Sequence, residues 1–325
     1  MDKLINIGIV GYGNLGKGVE KALQLTPDME LKAVFTRRDV NSLDSDAKLV
    51  HISEIDKYKG IIDVMILCGG SAQDLDEQGP MIAANFNAVD SFDTHARIPE
   101  YFEKINSAAQ KAGTCSLISA GWDPGLFSLH RLLGLSVLPV GKEYTFWGDG
   151  VSQGHSDAIR RIPGVKDAKQ YTIPQPDALE KVRKGENPDL TAKEKHLRVC
   201  YVVAESGADL LKIEQEIVTM PNYFADYDTT VHFVSAEEFA ANHQGMPHGG
   251  VVIRTGETTP GTKQKMEFSI SLDSNPEFTA SVIVAYARAI HKFSEAGKTG
   301  AYTVFDIPFA YLSPYSPEQL RKELL

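Results

Sequence analysis

An apolar run, Ile7 to Val10, enters the turn Gly11-Tyr12-Gly13-Asn14-Leu15-Gly16, and a helical pattern follows at Leu15, Val19 and Leu23. No other segment restricts the fold so tightly. Glycines at this spacing between a strand and a helix have separate jobs: Gly11 allows the tight turn, Gly13 lets backbone approach a pyrophosphate, and Gly16 lets the helix pack on the strand. The helix N-terminus then faces the phosphate charge. A second run, Leu31 to Phe35, ends at Thr36-Arg37-Arg38. A chain that reads the ribose 2′-hydroxyl of NAD is expected to place Asp or Glu here. Paired guanidiniums instead favour the 2′-phosphate of NADP, which arginine clamps through paired hydrogen bonds. The alternative for Arg37 and Arg38 is a solvated turn after a strand.

Strand-like runs at 5–10, 31–35, 61–68, 87–90 and 115–119 alternate with helical patterns near 14–25, 74–85 and 99–112. That alternation predicts an α/β fold, a Rossmann-like doubly wound parallel sheet, as a dinucleotide-binding domain over residues 1–120. Beyond it, strands are expected at 143–148, 169–173, 197–204, 229–234, 249–255 and 265–273, with helices near 155–161, 177–185 and 208–218. This is an α+β pattern suited to a substrate domain over 121–299. Residues 279–296 form a long, largely apolar helix that belongs in an interior or against a second subunit. The tail, about 300–325, is expected to pack back on the first domain.

The formal charge of −10 argues against a nucleic-acid partner, since a phosphate polymer needs a basic face and none is evident. An anionic ligand must therefore be held by local positive groups. No apolar run approaches bilayer-spanning length and no signal-peptide pattern precedes the first strand, so the expectation is a cytoplasmic protein without a membrane partner. Cys68, Cys115 and Cys200 are far apart and lie in or beside strand-like runs, which favours buried thiols over a disulfide or a metal site.

In open α/β sheets, ligands bind beyond the carboxyl ends of the strands. Asp90 and Asp93 lie there, in Val-Asp-Ser-Phe-Asp-Thr-His, as does Asp123 in Ser-Ala-Gly-Trp-Asp-Pro-Gly. Acids on the cofactor edge can bind an ammonium group, or accept its proton before hydride leaves the neighbouring carbon. The structural alternative is that Asp93 caps a turn and Asp123 makes an Asx-turn. The second half supplies the opposite set. Arg198, His248 and Thr172 are candidates to hold a carboxylate. Trp147, followed by a glycine-rich loop, offers an aromatic floor, with plain core packing as the alternative.

Together these segments resemble the meso-diaminopimelate dehydrogenase family along almost the whole chain. The motifs are Val-Gly-Tyr-Gly-Asn-Leu-Gly, Phe-Thr-Arg-Arg, Leu-Cys-Gly-Gly-Ser-Ala, Asp-Ser-Phe-Asp-Thr-His, Gly-Trp-Asp-Pro-Gly, Thr-Phe-Trp-Gly, Ser-Gln-Gly-His-Ser-Asp-Ala-Ile-Arg-Arg, Gln-Tyr-Thr-Ile-Pro, Gly-Met-Pro-His-Gly-Gly and Asn-Pro-Glu-Phe-Thr-Ala-Ser. Those after residue 90 carry the specificity, because dinucleotide folds in general share only the first. The resemblance implies a cytoplasmic, NADP-dependent homodimer, its second domain serving substrate binding and dimerisation. Its reaction would be the reversible oxidative deamination of the D-centre of meso-2,6-diaminopimelate to L-2-amino-6-oxopimelate, which cyclises to tetrahydrodipicolinate, with release of ammonia, on the lysine and peptidoglycan route. It also implies roles: Asp93 and Asp123 at the reacting centre, Trp147, Gln153, Gly154 and Asp157 lining the pocket, and Thr172, Arg198, His248 and Asn275 at the distal L-centre. Gly11, Gly13, Asn14, Leu15, Gly16, Thr36, Arg37, Arg38, Cys68, Gly69 and Ser71 would contact the cofactor.

Rival readings fit less well. A sugar dehydrogenase of similar build is expected to carry Glu-Lys-Pro near the fifth strand, where this chain has Asp-Ser-Phe-Asp. A semialdehyde dehydrogenase needs a reactive cysteine opening a helix. An NADP-sensing regulator predicts binding without turnover, and the full set of pocket motifs speaks against it.

Overall fold

The computed structural model describes residues 4–325, and the chain divides into two compact units, Met1–Leu129 with Pro276–Leu325, and His130–Asn275. The chain opens with β1 (Ile5–Val10), α1 (Asn14–Gln24), β2 (Met29–Thr36), β3 (Leu49–His51), β4 (Val64–Leu67), α2 (Leu75–Ala83), β5 (Ala88–Asp90), α3 (Ile98–Ala112), β6 (Cys115–Leu117) and α4 (Leu126–Val137). Every residue of β4 and β5 is buried, as parallel strands covered on both faces require. Pro99 starts α3 and Gly113, at φ 74°, ends it, the usual division of labour between a residue preset for the first turn and one that tolerates the left-handed cap.

Next come β7 (Gly141–Trp147), β8 (Gly150–Val151), α5 (Gln153–Arg160), β9 (Val165–Pro174), α6 (Pro176–Arg183), α7 (Ala192–Lys195), β10 (His196–Ala204), α8 (Leu210–Val218), β11 (Asp228–Phe233), α9 (Ala236–Asn242), β12 (His248–Thr259) and β13 (Thr262–Leu272). They build a four-stranded sheet, β11-β10-β9-β8, and a three-stranded antiparallel sheet, β13-β12-β7. One face of β9 and β10 carries Ala168, Cys200 and Val202 into an apolar core with Ile159, Ile213 and Phe224. Two residues along each strand that face turns polar, and there the site begins.

The chain then returns through α10 (Asn275–Glu295) and β14 (Gly300–Tyr302) to a final α11 (Pro317–Leu324). β14 pairs in parallel with β6, giving a seven-stranded sheet in the order β14-β6-β5-β4-β1-β2-β3. This is the doubly wound order, reversing direction between β1 and β4. α10 is the apolar helix expected at 279–296, and it lies in the interior of the first unit. Val282, Ile283, Ala287 and Ile290 share a core with Ile7, Val19 and Leu117. Gly18 of α1 makes the approach possible, since a Cβ there would meet Ala280 Cβ at 3.1 Å. The two units therefore break at 129/130 and 275/276, whereas the sequence places the breaks at 120 and 299; the burial of α10 in the first unit accounts for the second of these differences. Among the described residues, no helix is long and apolar enough to cross a membrane.

Arg288 of α10 pins this return. Its guanidinium is 5% exposed and donates to both carboxylate oxygens of Asp28, at 2.6 and 2.8 Å, and to the Leu312 carbonyl at 2.6 Å. The Arg288 hydrogen bonds hold the Asp28 carboxyl below its ordinary value of 3.8. A carboxylate depressed in the folded state contributes stability above its unfolded pKa and loses it as pH falls through the folded one. Asp28→Ala leaves the Arg288 charge buried and unpaired, so a loss of roughly 3 kcal/mol is expected at neutral pH. The gap from the parent should narrow below about pH 4, measured by urea unfolding across the acid range.

Candidate active site

The carboxyl ends of β1, β2 and β4 form a cradle that fits a dinucleotide. Gly11 adopts φ 93°, and a Cβ on Gly16 would lie 2.2 Å from the Gly11 carbonyl oxygen, so neither position admits a side chain. Gly13 has nothing within 4 Å of where a Cβ would stand. As N-cap of α1 it supplies no capping side chain, and the first turn holds no acid, which suits a helix N-terminus meant for phosphate. Both arginines after β2 are engaged. Arg38 donates to the Tyr12 carbonyl, while the Thr36 hydroxyl takes the Arg38 backbone N–H at 3.1 Å. Arg37, 65% exposed along its side chain, pairs with Asp74, whose other oxygen accepts the Gly70 N–H at 3.0 Å. Asp74 thus ties the β2 turn to the loop Cys68-Gly69-Gly70-Ser71, and at Gly69 a Cβ would fall 2.7 Å from Asp74 Cβ.

That loop also reaches the acids. The Ser71 hydroxyl accepts the Asp93 N–H at 3.0 Å, fixing the backbone while the Asp93 residue stays exposed. Asp123 is half-buried in a tight Trp122–Gly125 turn, and at Gly125 (φ 134°) a Cβ would overlap the Gly121 carbonyl. Asp90 differs from both. It is 4% exposed and all its bonds are internal, so the expectation that groups it with the ligand-facing acids is corrected: its carboxylate holds loops and does not meet a ligand.

In the second unit, strand register lays Gly150, Thr172, Arg198 and Thr229 in one row across four strands. Arg198 is 8% exposed. It donates to the Thr172 hydroxyl and stacks its guanidinium carbon 4.0 Å above the Tyr227 ring, while its Nε is buried with no partner. Among the described residues no carboxylate pairs with it. The Thr229 hydroxyl and the Gln170 Oε1 are likewise buried without partners. Two histidines next to this cation stay neutral: burial, and secondly the Arg198 charge, push His155 down to about 4 and His196 to about 3. His196 Nε2 accepts the Trp147 N–H at 2.9 Å and its ring stacks on the indole at 5.3 Å, which orients Trp147.

His248 owes its place to a glycine, since a Cβ on Gly150 would meet His248 Cγ at 2.4 Å. Asn275 is brought to the same strand end by its N–H bond to the Met246 carbonyl at 2.9 Å. Gln153 and Gly154 are exposed in the first turn of α5, started by the Ser152 cap. Asp157 is exposed too, and its carboxylate pairs with Arg160 and, at 3.7 Å, with Arg161. The three cysteines are free, Cys115 and Cys200 buried and Cys68 half-buried.

Residues 121–274 match the family model for the diaminopimelic acid dehydrogenase C-terminal domain. The whole chain is 65% identical over 323 residues to the meso-diaminopimelate D-dehydrogenase of Lysinibacillus sphaericus, covering 99% of each. It is 47% identical to that of Corynebacterium glutamicum over 97% of this chain and 98% of that one. The chain belongs to the meso-diaminopimelate D-dehydrogenase family. Among solved structures, C. glutamicum DAP dehydrogenase in complex with DAP superposes with a TM-score of 0.95 at 46% identity, covering 100% of both chains. An engineered D-amino acid dehydrogenase bound to NADP+ gives 0.90 at 44% identity, covering 99% and 100%.

The family and the fold class expected from the motifs are thus borne out. What sequence reasoning missed in this dehydrogenase is the support around the named residues: His155, His196 and Tyr227 about Arg198 and Trp147, and Asp74 beneath Arg37. A polar or aromatic residue inside a buried strand, such as His196 in His-Leu-Arg-Val-Cys, was the available signal.

Proposed function

We propose that this chain oxidatively deaminates the D-centre of meso-2,6-diaminopimelate, with Arg198 as the group that selects the substrate. The reaction is the family's, reversible, NADP-dependent and acting on a CH–NH2 group, and its products are L-2-amino-6-oxopimelate, which cyclises to tetrahydrodipicolinate, and ammonia. One observation carries the reading: a buried guanidinium with an unpartnered Nε and, among the described residues, no carboxylate paired with it. A buried cation is costly without an anion, and a substrate carboxylate supplies one. Thr172, His248 and Asn275 hold the same L-centre, beside the pocket residues Trp147, Gln153, Gly154 and Asp157.

At the other end of the substrate, Asp93 and Asp123 receive the D-centre ammonium, and its proton passes to one of these acids or to water, so that a neutral amine adjoins the carbon to be oxidised. Oxidised NADP+, once held by the glycine cradle and the arginines after β2, would supply the hydride acceptor for that carbon, and addition of water to the substrate imine would release ammonia and leave the keto group. Gly11, Gly13, Asn14, Leu15 and Gly16 hold the pyrophosphate, Thr36, Arg37 and Arg38 the 2′-phosphate, and Cys68, Gly69 and Ser71 the loop beside them. The decisive assay adds NADP with meso-, L,L- or D,D-diaminopimelate separately and follows reduced nicotinamide absorbance. Turnover of the meso isomer alone is expected, because a D-centre at the second position presents its carboxylate wrongly to Arg198 and leaves the buried donors unpaired. Equal rates with the D,D isomer would remove Arg198 from substrate selection.

For the cofactor, Arg37→Ala with Arg38→Ala should raise the KM for NADP by about a hundredfold, at ~1.5 kcal/mol for each charge-assisted hydrogen bond removed. The KM for diaminopimelate should stay put; unchanged NADP kinetics would refute the pair as the clamp. The protein is further read as a cytoplasmic enzyme of lysine and peptidoglycan precursor synthesis. It is also read as a homodimer joined through its second unit. Leu132, Leu133, Leu135, Val137 and Val140, 43–71% exposed, form the apolar stretch that a second copy would cover.

A further inference from the structure

We propose that Asp90 is a positioning residue for this reaction: together with Tyr101 it sets the two loops that carry Asp93 and Asp123. The proposal deepens the reading above, on which it rests for the roles of those acids. The Asp90 Oδ1 accepts the Phe92 N–H at 2.9 Å and the Ser119 N–H at 3.0 Å, and its Oδ2 accepts the Tyr101 hydroxyl at 2.8 Å. Its main-chain oxygen adds the Ala120 N–H at 2.8 Å. Phe92 immediately precedes Asp93, and Ser119 with Ala120 opens the segment leading to Asp123. A single oxygen therefore fixes both loops to one reference point.

The local geometry explains why a carboxylate stands here. Ser119 sits at φ 58°, a left-handed conformation that costs a non-glycine residue free energy and persists only where the surroundings enforce it. The Asp90 bond enforces it. Tyr101 is fully buried and stacks on Phe92 at 4.0 Å, so its hydroxyl meets Asp90 from a rigid frame. Burial pushes the Asp90 carboxyl up and the Phe92, Ser119 and Tyr101 hydrogen bonds pull it back, with burial prevailing at about 6. Apolar packing would close this core without that desolvation cost, so the polar group is better explained by the backbone amides it holds.

Geometry and charge can be separated. In Asp90→Asn the amide oxygen still accepts from Phe92 and Ser119, and the amide nitrogen donates to the Tyr101 oxygen, so the loops stay tethered. In Asp90→Ala nothing holds them. Steady-state kinetics should show kcat falling on the order of 10²-fold in Asp90→Ala, the effect of an ångström-scale misplacement, with the KM for NADP unmoved. Asp90→Asn should recover most of that loss. Tyr101→Phe keeps the ring and removes only the hydroxyl; a kcat loss of about fivefold is expected, and this variant carries the test if Asp90→Ala does not fold. A parent-like kcat in both Asp90→Ala and Tyr101→Phe overturns the proposal, as does an Asp90→Asn enzyme as impaired as the Ala variant. Asp93→Ala and Asp123→Ala run alongside: ordinary turnover in both removes the underlying roles, whereas their loss beside an active Asp90→Ala enzyme sinks the positioning idea alone.

Discussion

Replacing Arg198 by Met should have two effects of opposite sign. The kcat/KM for meso-diaminopimelate falls by about 10²–10³, because truncating one partner of a buried charged pair costs roughly 3–4 kcal/mol. The ligand-free protein, by contrast, becomes more stable by about 1–4 kcal/mol, since an uncompensated buried cation gives way to an apolar side chain of similar length. Both follow from the same facts: Arg198 is 8% exposed, its Nε has no partner, and burial lowers its pKa. Substrate should raise the melting temperature of the parent and leave that of the variant almost unmoved, as mass action requires for a ligand it no longer binds. Differential scanning calorimetry with and without meso-diaminopimelate checks all of this. A variant less stable than the parent would mean that the guanidinium is structural, and that Thr172 and Tyr227 compensate it fully.

The neighbours of Arg198 show why such a residue is only half legible in sequence. The strand Arg-Val-Cys-Tyr-Val-Val announces itself by composition, and a charge at its head invites attention. Whether that charge is buried depends on which face of the strand meets the core, and this is decided by register with β9, where Arg198 stands opposite Thr172 and Cys200 opposite Gln170. Local patterning does not encode that pairing. The first unit was easier to read, because the glycine turn and the buried strands carry their own geometry. Its least legible parts were β3 and β14, short strands of three residues each, and α10, whose apolar length fitted either an interior or an interface. Only long-range packing against β1 and α1 placed it. Asp90 illustrates the same limit. In sequence it lies three residues before Asp93 in one motif, yet the two have opposite environments, one closed by three hydrogen bonds and the other open to solvent.

Asp123 gives the largest expected loss of turnover. Two accounts of this residue compete, a structural one in which it shapes the Trp122–Gly125 turn and a chemical one in which it takes the proton of the D-centre ammonium. Asn makes the Asx-type bonds of Asp equally well, so Asp123→Asn preserves the turn and removes only the negative charge. If the role is chemical, Asp123→Asn and Asp123→Ala should be alike, each with kcat lower by about 10²–10⁴, the range that a positioned base contributes. The KM for NADP should be unchanged in both, since the glycine cradle lies on β1 and not on this turn. If the role is structural, Asn restores activity and Ala does not. Stopped-flow measurement of the first turnover makes the comparison sharp: a slowed burst of reduced nicotinamide in Asp123→Asn locates the defect before product release, where proton loss and hydride transfer occur, whereas a normal burst with slow steady state assigns Asp123 to a later step.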